Sequence, residues 1–243
     1  MYKVEHHPEH VALLRMDDGK VNAMGPAMLR GFPEAWRKTE DARAVVIAGN
    51  AKAFCAGLDL KTLPTLDESQ LVGFADDLLA CFRAVNDDPR PVIAAVEGPA
   101  IAGGAILALC ADVRIVGPGA RMGVTEVPVG VPFPEPLFAL LRSQLPVTEH
   151  APAILQGAVR TGQALVDAGW AHKLAQHAAP DAARLAAELG AHSRVAYSAA
   201  KRGLRGDVTR AFASFDAKSW VRELRRPESQ AALARTFEKL AKR

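Results

Sequence analysis

The stretch VIAAVEGPAIAGGAILALCADVRIV, Val92–Val116, decides the fold. Val92-Ile93-Ala94-Ala95-Val96 is a short apolar run bounded by turn residues, the mark of a buried strand. A glycine-rich turn follows. Gly103 to Ala111 is then apolar on every side, and a helix without a polar face has to be buried. Asp112-Val113-Arg114-Ile115-Val116 reads as another strand. Strand, crossover helix and strand in this order predict an α/β core built from βαβ crossovers.

Working outward, the same alternation recurs upstream. Val11-Ala12-Leu13-Leu14 and Ala44-Val45-Val46-Ile47-Ala48 read as strands. Asn22 to Trp36 and Asp67 to Val85 read as helices, the second with Leu71, Phe74, Leu78, Leu79 and Phe82 on one face. Pro89-Arg90-Pro91 stops it. From about Pro136 the strand signals fade. Helical patterns cover Glu135 to Leu145, Glu149 to Gln156, Thr161 to Ala168, Ala179 to Ala191, and Asp207 to the end. The last is amphipathic, with Phe212, Phe215, Trp220, Leu224, Leu233, Phe237 and Leu240. A stripe this long should pack on the core or on a neighbouring subunit. The expected division is a core over 1–190 and a helical region over 191–243.

The chain has 243 residues, 49% of them hydrophobic and 23% charged, which suits one sizeable globular domain with an appended tail. The net charge of +3 is too small to single out a polyanionic partner. Its excess sits late, in Lys201-Arg202, Arg222, Arg225-Arg226 and Lys239 to Arg243, and reads as a solvated helical face. Nucleic-acid binding is disfavoured because no stacking aromatics interleave these cations. Cys55, Cys81 and Cys110 are isolated and odd in number, which argues against a disulfide framework or a zinc site and for a reducing compartment. No apolar run approaches the ~18 residues of a membrane span. Met1 to His7 has no signal-peptide core, so a cytoplasmic location is expected. His6, His7 and His10 read as decoration of an exposed first strand, and no metal is expected.

Three segments carry chemistry. Lys52-Ala53-Phe54-Cys55-Ala56-Gly57-Leu58-Asp59-Leu60-Lys61 follows a strand, and its small residues allow a ligand close to the backbone. Asp59 stands where it could cap a helix. In Gly98-Pro99-Ala100-Ile101-Ala102-Gly103-Gly104-Ala105-Ile106, glycines at a helix start expose unpaired N–H groups that favour a developing negative charge. This turn matches neither GxGxxG nor a Walker loop. Met122-Gly123-Val124-Thr125-Glu126-Val127-Pro128-Val129-Gly130-Val131-Pro132 holds Glu126, the one carboxylate between Asp112 and Glu135. Read locally, Glu126 is either an exposed loop residue or, if buried, a carboxyl of raised proton affinity fit for a general base. The neighbouring acids Glu97 and Asp112 read as capping or pairing groups.

Together with Lys20-Val21-Asn22-Ala23-Met24 and the Gln156-Gly157 and Thr161 to Trp170 stretches, these segments resemble the crotonase superfamily, the enoyl-CoA hydratase/isomerase family. The resemblance implies an α/β crotonase fold, stacked ββα turns forming a spiral core, with C-terminal helices that assemble homotrimers or hexamers. It implies an acyl-CoA thioester as substrate and no separate cofactor. Its oxyanion hole, two backbone N–H groups, falls on Leu58 and Gly103. The family's hydratases use two glutamates. One position is Glu126 here, and the other is occupied by Ile106, which cannot move a proton. That arrangement is similar to the Δ3,Δ2-enoyl-CoA isomerases, in which one carboxylate suffices. Another hydratase, hydrolase or C–C lyase reaction, or a non-catalytic CoA- or RNA-binding role, are the alternatives. The resemblance also places substrate or CoA along Ala23, Ala53, Ala56, Asp59, Lys61, Ala102, Gly104 and Ile106. The adenine lies near Ala53 and Ala56, with Lys52 and Lys61 as phosphate neighbours. The acyl pocket is expected between Leu63 to Phe74, Val131-Pro132-Phe133 and the tail.

Overall fold

A computed structural model describes residues 1–241, apart from the side chains of Phe237, Lys239, Leu240 and Ala241. The expected apolar roles of Phe237 and Leu240 and the Lys239 to Arg243 basic run therefore lie outside the described residues. Strands β1 (Tyr2–His7) and β2 (Val11–Met16) form an antiparallel hairpin. Strands β3 (Ala44–Ala48), β4 (Val92–Val96), β6 (Val113–Val116) and β9 (Lys173–Leu174) extend it in parallel, in the order β1-β2-β3-β4-β6-β9. A smaller sheet holds β5 (Pro99–Ile101), β7 (Arg121–Gly123) and β8 (Val159–Thr161). The helices are α1 (Pro26–Arg37), α2 (Glu68–Asn86), α3 (Gly103–Cys110), α4 (Glu126–Val129), α5 (Glu135–Gln144) and α6 (Val147–His150), which runs into a π turn (Ala151–Leu155). They are followed by α7 (Gln163–Asp167), α8 (Ala178–Gly190), α9 (Arg194–Ala213), α10 (Ala217–Leu224) and α11 (Pro227–Ala241).

The chain winds as a spiral. Each turn lays one strand in the large sheet, crosses to a second layer, and returns through a helix. β2 leads to Met24, bridged in parallel to Leu58, and then to α1. β3 leads to Cys55, bridged in parallel to Ala100, and then to α2. β4 leads to β5 and α3, and β6 leads to β7 and α4, with β5 and β7 parallel in register Ala100 to Met122. This is the stack of ββα turns that the resemblance implies. All five residues of β3 and of β4 are buried, as strands covered on both faces must be. One face packs against α1, α2 and α3 through Leu14, Ile47, Phe32 and Phe82. The other carries α8, whose Ala178, Ala182 and Ala186 lie on Val46, Ile93 and Ala95. Glu97 caps α8 by accepting from the Ala178 and Ala179 N–H groups, the structural role the sequence suggests for it.

Several boundaries differ from the sequence reading. α1 starts at Pro26, not Asn22, because Asn22 sits in the left-handed region (φ 55°) and Met24 is held in a bridge. Two short strands, β8 and β9, lie beyond Pro136. The tail is three helices, and α9 begins at Arg194 rather than at Asp207. Lys201 is not on a solvated face: it is 7% exposed and paired with Asp112 at 2.9 Å. Phe212, Trp220, Leu224 and Leu233 are buried in the chain's own core.

α11 docks on the short α4. Gly130, the left-handed C-cap of α4 (φ 82°), faces α11 so closely that a methyl group there would overlap the Ala232 side chain. Gly130→Ala adds that clash to ~1–2 kcal/mol of backbone strain. The substitution is expected to release α11, lowering its amide hydrogen-exchange protection while β3 and β4 stay protected. Unchanged protection in α11 would contradict this packing.

Candidate functional site

The spiral brings three strand-to-helix junctions together. At the first, Gly57 adopts φ 84°, and a methyl group on it would lie 2.7 Å from the Ile101 carbonyl oxygen and 3.2 Å from the Gly103 nitrogen. A side chain on Gly104 would overlap the Cys55 backbone. Backbone therefore lies directly on backbone, which only glycine permits. Met24 fixes the outer edge: its N–H donates to the Gly57 carbonyl at 2.7 Å, and its carbonyl accepts from Asp59 N–H at 3.0 Å. Leu58, between those two, must aim its own N–H away from Met24, because extended backbone alternates its polar groups. At the second junction Gly103 is the first residue of α3, so its N–H belongs to the unpaired first turn. Among the described residues neither Leu58 N–H nor Gly103 N–H donates to a protein acceptor.

Ala102, the N-cap of α3, has φ 51° and ψ −124°, a conformation that strains a non-glycine residue by ~1–3 kcal/mol. Gly162 has nearly the same angles (50°, −126°) ahead of α7. The turn geometry therefore makes the demand, and Ala102 meets it with help from its N–H bond to the Gly123 carbonyl at 2.8 Å.

Beneath the first junction lies Asn22, fully buried and not singled out from sequence as a site residue. Its amide donates to the Met16, Ala53 and Phe54 carbonyls, each at 3.1 Å. Its oxygen accepts from Asp18 N–H and from the Asn50 amide. Asn50 in turn accepts from Lys52 and Ala53 N–H. The segment that carries Leu58 is thus pinned from below by side-chain amides. The N–H and carbonyl of Ala53 are both consumed in this network, and the residue is buried. Ala56 is half-buried, with its N–H on the Val21 carbonyl at 3.0 Å. Lys52 donates to the Gly19 carbonyl at 2.8 Å, Lys61 is exposed, and Ala23 is half-buried beside Met24. Asp59 caps no α-helix. Its carboxylate closes a turn, accepting from Lys61 N–H at 3.1 Å and the Thr62 hydroxyl at 2.6 Å. The chain beyond it makes only a single 3-10 turn, Leu63–Thr65, before the next helix.

The third junction places Glu126. Gly123, whose carbonyl holds Ala102, is three residues before it, and Glu126 opens α4. Its carbonyl accepts from Val131 N–H at 2.9 Å, which fixes the backbone. The residue is 6% exposed, and Oε2 is buried with no hydrogen-bond partner among the described residues. Burial pushes its pKa up to about 8, opposed only by its own backbone N–H. Of the two readings the local sequence allows, the buried one holds. A buried polar atom without a partner is rare and needs a reason. The other buried acids have partners: Asp88 pairs with Arg90, and Glu149 with Arg160 and Trp170. Nearly buried Asp112 pairs with Lys201 and Arg205. Ile106, like all of α3, is buried. Two free N–H groups and an uncommitted carboxyl can together take a proton from beside a carbonyl while holding the resulting oxyanion.

A pocket of about 390 Å³ lies between Leu63, Leu66 and Leu71 on one side and Leu224, Arg225 and Leu233 on the other. Leu58, Gly103 and Glu126 are not on its walls. Pro132 and Phe133, expected in the same wall, line a separate pocket of about 240 Å³ with Phe215 and Trp220. α10 borders both, with Leu224 and the following Arg225 on the first and Ser219, Trp220 and Glu223 on the second.

The model of the enoyl-CoA hydratase/isomerase family matches residues 6–240. The enoyl-CoA hydratase EchA19 of Mycobacterium tuberculosis is 30% identical over 197 residues, 76% of this chain and 72% of that one. A Thermus thermophilus protein named as an enoyl-CoA hydratase is 38% identical over 128 residues, so the match spans about half of each chain. The crystal structure of enoyl-CoA hydratase EchA3 from Mycobacterium ulcerans superposes with a TM-score of 0.86 at 26% identity, covering 92% of this chain and 99% of that one. Human mitochondrial Δ3-Δ2-enoyl-CoA isomerase superposes with a TM-score of 0.92 over 99% of this chain and 98% of that one; at 20% identity it speaks to the fold alone.

The raised pKa of Glu126 links stability to pH. The folded chain binds this proton more tightly than the unfolded chain, so the contribution is complete below the ordinary carboxylate range and is lost as pH rises toward about 8. Glu126→Gln removes the linkage. Urea unfolding is expected to show the variant gaining on the native protein steadily from pH 5 to pH 8, reaching several kcal/mol. A stability difference that does not change with pH would show Glu126 to be solvated.

Proposed function

The chain belongs to the enoyl-CoA hydratase/isomerase family, and we propose that it moves the double bond of 3-enoyl-CoA thioesters to give 2-enoyl-CoA. The observation that carries this reading is Glu126, a buried carboxyl whose Oε2 has no partner among the described residues, together with an α3 in which Ile106 stands where a second acid would be needed for hydration. The Leu58 and Gly103 N–H groups hold the thioester oxygen. Glu126, ionised, takes a proton from C2. The electron pair delocalises through the C3–C4 double bond, and the charge rests on the oxygen as a dienolate. Glu126 returns the proton to C4, and the double bond remains between C2 and C3. Each N–H donor contributes ~2.7–4 kcal/mol to the transition state. The wholly apolar α3 excludes water from the dienolate.

CoA lies along the Ala23, Ala53 to Lys61 and Ala102 to Ile106 backbone. The pocket at Leu63 and Leu233 takes the acyl chain. The reaction needs no cofactor other than the CoA already in the substrate. Val127, Leu155 and Val159 are exposed around the Pro128–Gly157 contact beside α4. A further copy of the chain in a homotrimer or hexamer would cover them. A cytoplasmic setting accords with three free, buried cysteines. Among the described residues no helix is long and apolar enough to cross a membrane. The names of the relatives favour hydration as the second reading. It would require an acid at Ile106 or a substitute, and Asp112 and Glu97 are committed elsewhere.

Purified protein supplied in parallel with 3-enoyl-CoA and 2-enoyl-CoA is expected to isomerise the first and not hydrate the second. Hydration without isomerisation sinks the proposal. Glu126→Gln is expected to lower kcat by at least about a thousandfold with CoA affinity nearly unchanged. In the native protein kcat/KM should rise with pH and level off above about 8, following ionisation of the free enzyme's base.

A further inference from the structure

α3 is gripped at the end opposite Gly103. Arg205, from α9, donates to the Cys110 carbonyl at 2.8 Å, to the Ala111 carbonyl at 2.9 Å and to Asn86 Oδ1 at 2.7 Å. Arg114, from β6, donates to the Ala111 carbonyl at 3.2 Å and to the Trp170 carbonyl at 2.6 Å. Both arginines are buried. The last carbonyls of a helix lack intrahelical partners and carry the negative end of its dipole. A guanidinium fork can meet two of them at once, as an ammonium cannot.

The local charge is lopsided. Asp112 faces Lys201 at 2.9 Å and Arg205 at 3.3 Å, with Arg114 buried close by. Burial holds Arg114 down to about 9, and Lys201 is also held below its ordinary range. His172, which accepts from the Arg114 N–H at 3.1 Å, is held down to about 4, mainly by burial, and stays neutral. Asp112 is the carboxylate in contact with Lys201 and Arg205, with Asp88 a further attraction on Lys201, and such a buried charged cluster is a costly way to attach a helix where apolar packing would serve better. The added partners are the carbonyls at the foot of α3.

We propose that Arg205 is a positioning residue for the Gly103 N–H. It fixes α3 along its axis and neutralises its negative end, so that the helix presents its positive end to the anion that forms at Gly103. Eight residues of helix, about 12 Å long, join the two ends in one rigid body. This rests on the reading of Gly103 as an oxyanion donor.

Acetoacetyl-CoA tests the idea without turnover, because its enolate absorbs in the ultraviolet and the fraction ionised on the protein reports how well the site holds an oxyanion. Arg205→Lys keeps the charge and loses the fork; Arg205→Met loses both. Lys201→Met is the control, since it removes a bond to Asp112 and one to the Arg90 carbonyl but touches no carbonyl of α3. The native protein is expected to ionise the probe. Arg205→Lys should raise the apparent pKa of the bound probe by about one unit and lower kcat about tenfold, with KM within about twofold. Arg205→Met should lose more, and Lys201→Met should lose thermal stability while keeping the native enolate spectrum. A native spectrum in Arg205→Lys overturns the proposal, as does an equal loss in Lys201→Met. A native protein that leaves the probe un-ionised overturns the reading of Gly103 as well, so the two failures are distinguishable.

Discussion

Everything in the site depends on one contact without side chains: the Cys55–Gly57 backbone lying on the Ile101–Gly104 turn. Gly57 and Gly104 have no room for a Cβ there, so the two segments meet at a spacing that no other residue type allows. This contact sets Leu58 N–H against Gly103 N–H. The same spiral pitch that makes it also delivers Glu126, since each junction lies one turn further along the stack. The geometry is therefore a property of the fold's repeat. Asn22 from below and Met24 from the side hold it against relaxation.

The electrostatics follow from dryness. Glu126 loses its hydration and has only its own backbone N–H in return, so its proton affinity rises into the neutral range. A carboxylate in water would be too weak a base for an α-proton, and one paired with a cation would be weaker still. The lack of a partner is thus what suits Glu126 to its proposed task. Ile106 acts in the same direction. It leaves α3 without any group that could hold a water molecule for addition, so the proposed chemistry is limited to moving a proton.

The parts of this arrangement that were readable from sequence share a physical cause. β3 and β4 are found at the very residues expected, because a strand buried on both faces is an unbroken apolar run. β5, β7, β8 and β9, at two or three residues each, are too short to show any period. The first half of α9 escapes a hydrophobic pattern because its buried face is Ser198, Lys201 and Arg205: Ser198 accepts from Arg202 one turn on, and Lys201 and Arg205 are satisfied by partners some ninety residues or more earlier in the chain. The small residues flanking Leu58 and Gly103 mark close approach, but nothing local says that they approach each other. Glu126 is similar: its apolar neighbours permit burial, but the sequence does not say that Gly157 packs against Pro128 and α11 against Gly130 on either side of it.

The most direct test of the account is a crystal structure of the Glu126→Gln protein with a 3-enoyl-CoA bound. The account predicts the thioester oxygen within hydrogen-bonding distance of both Leu58 N–H and Gly103 N–H, the residue 126 amide facing C2 and C4, and no ordered water over C3. A thioester oxygen held by other groups, or a water positioned at C3 by a second side chain, would contradict it.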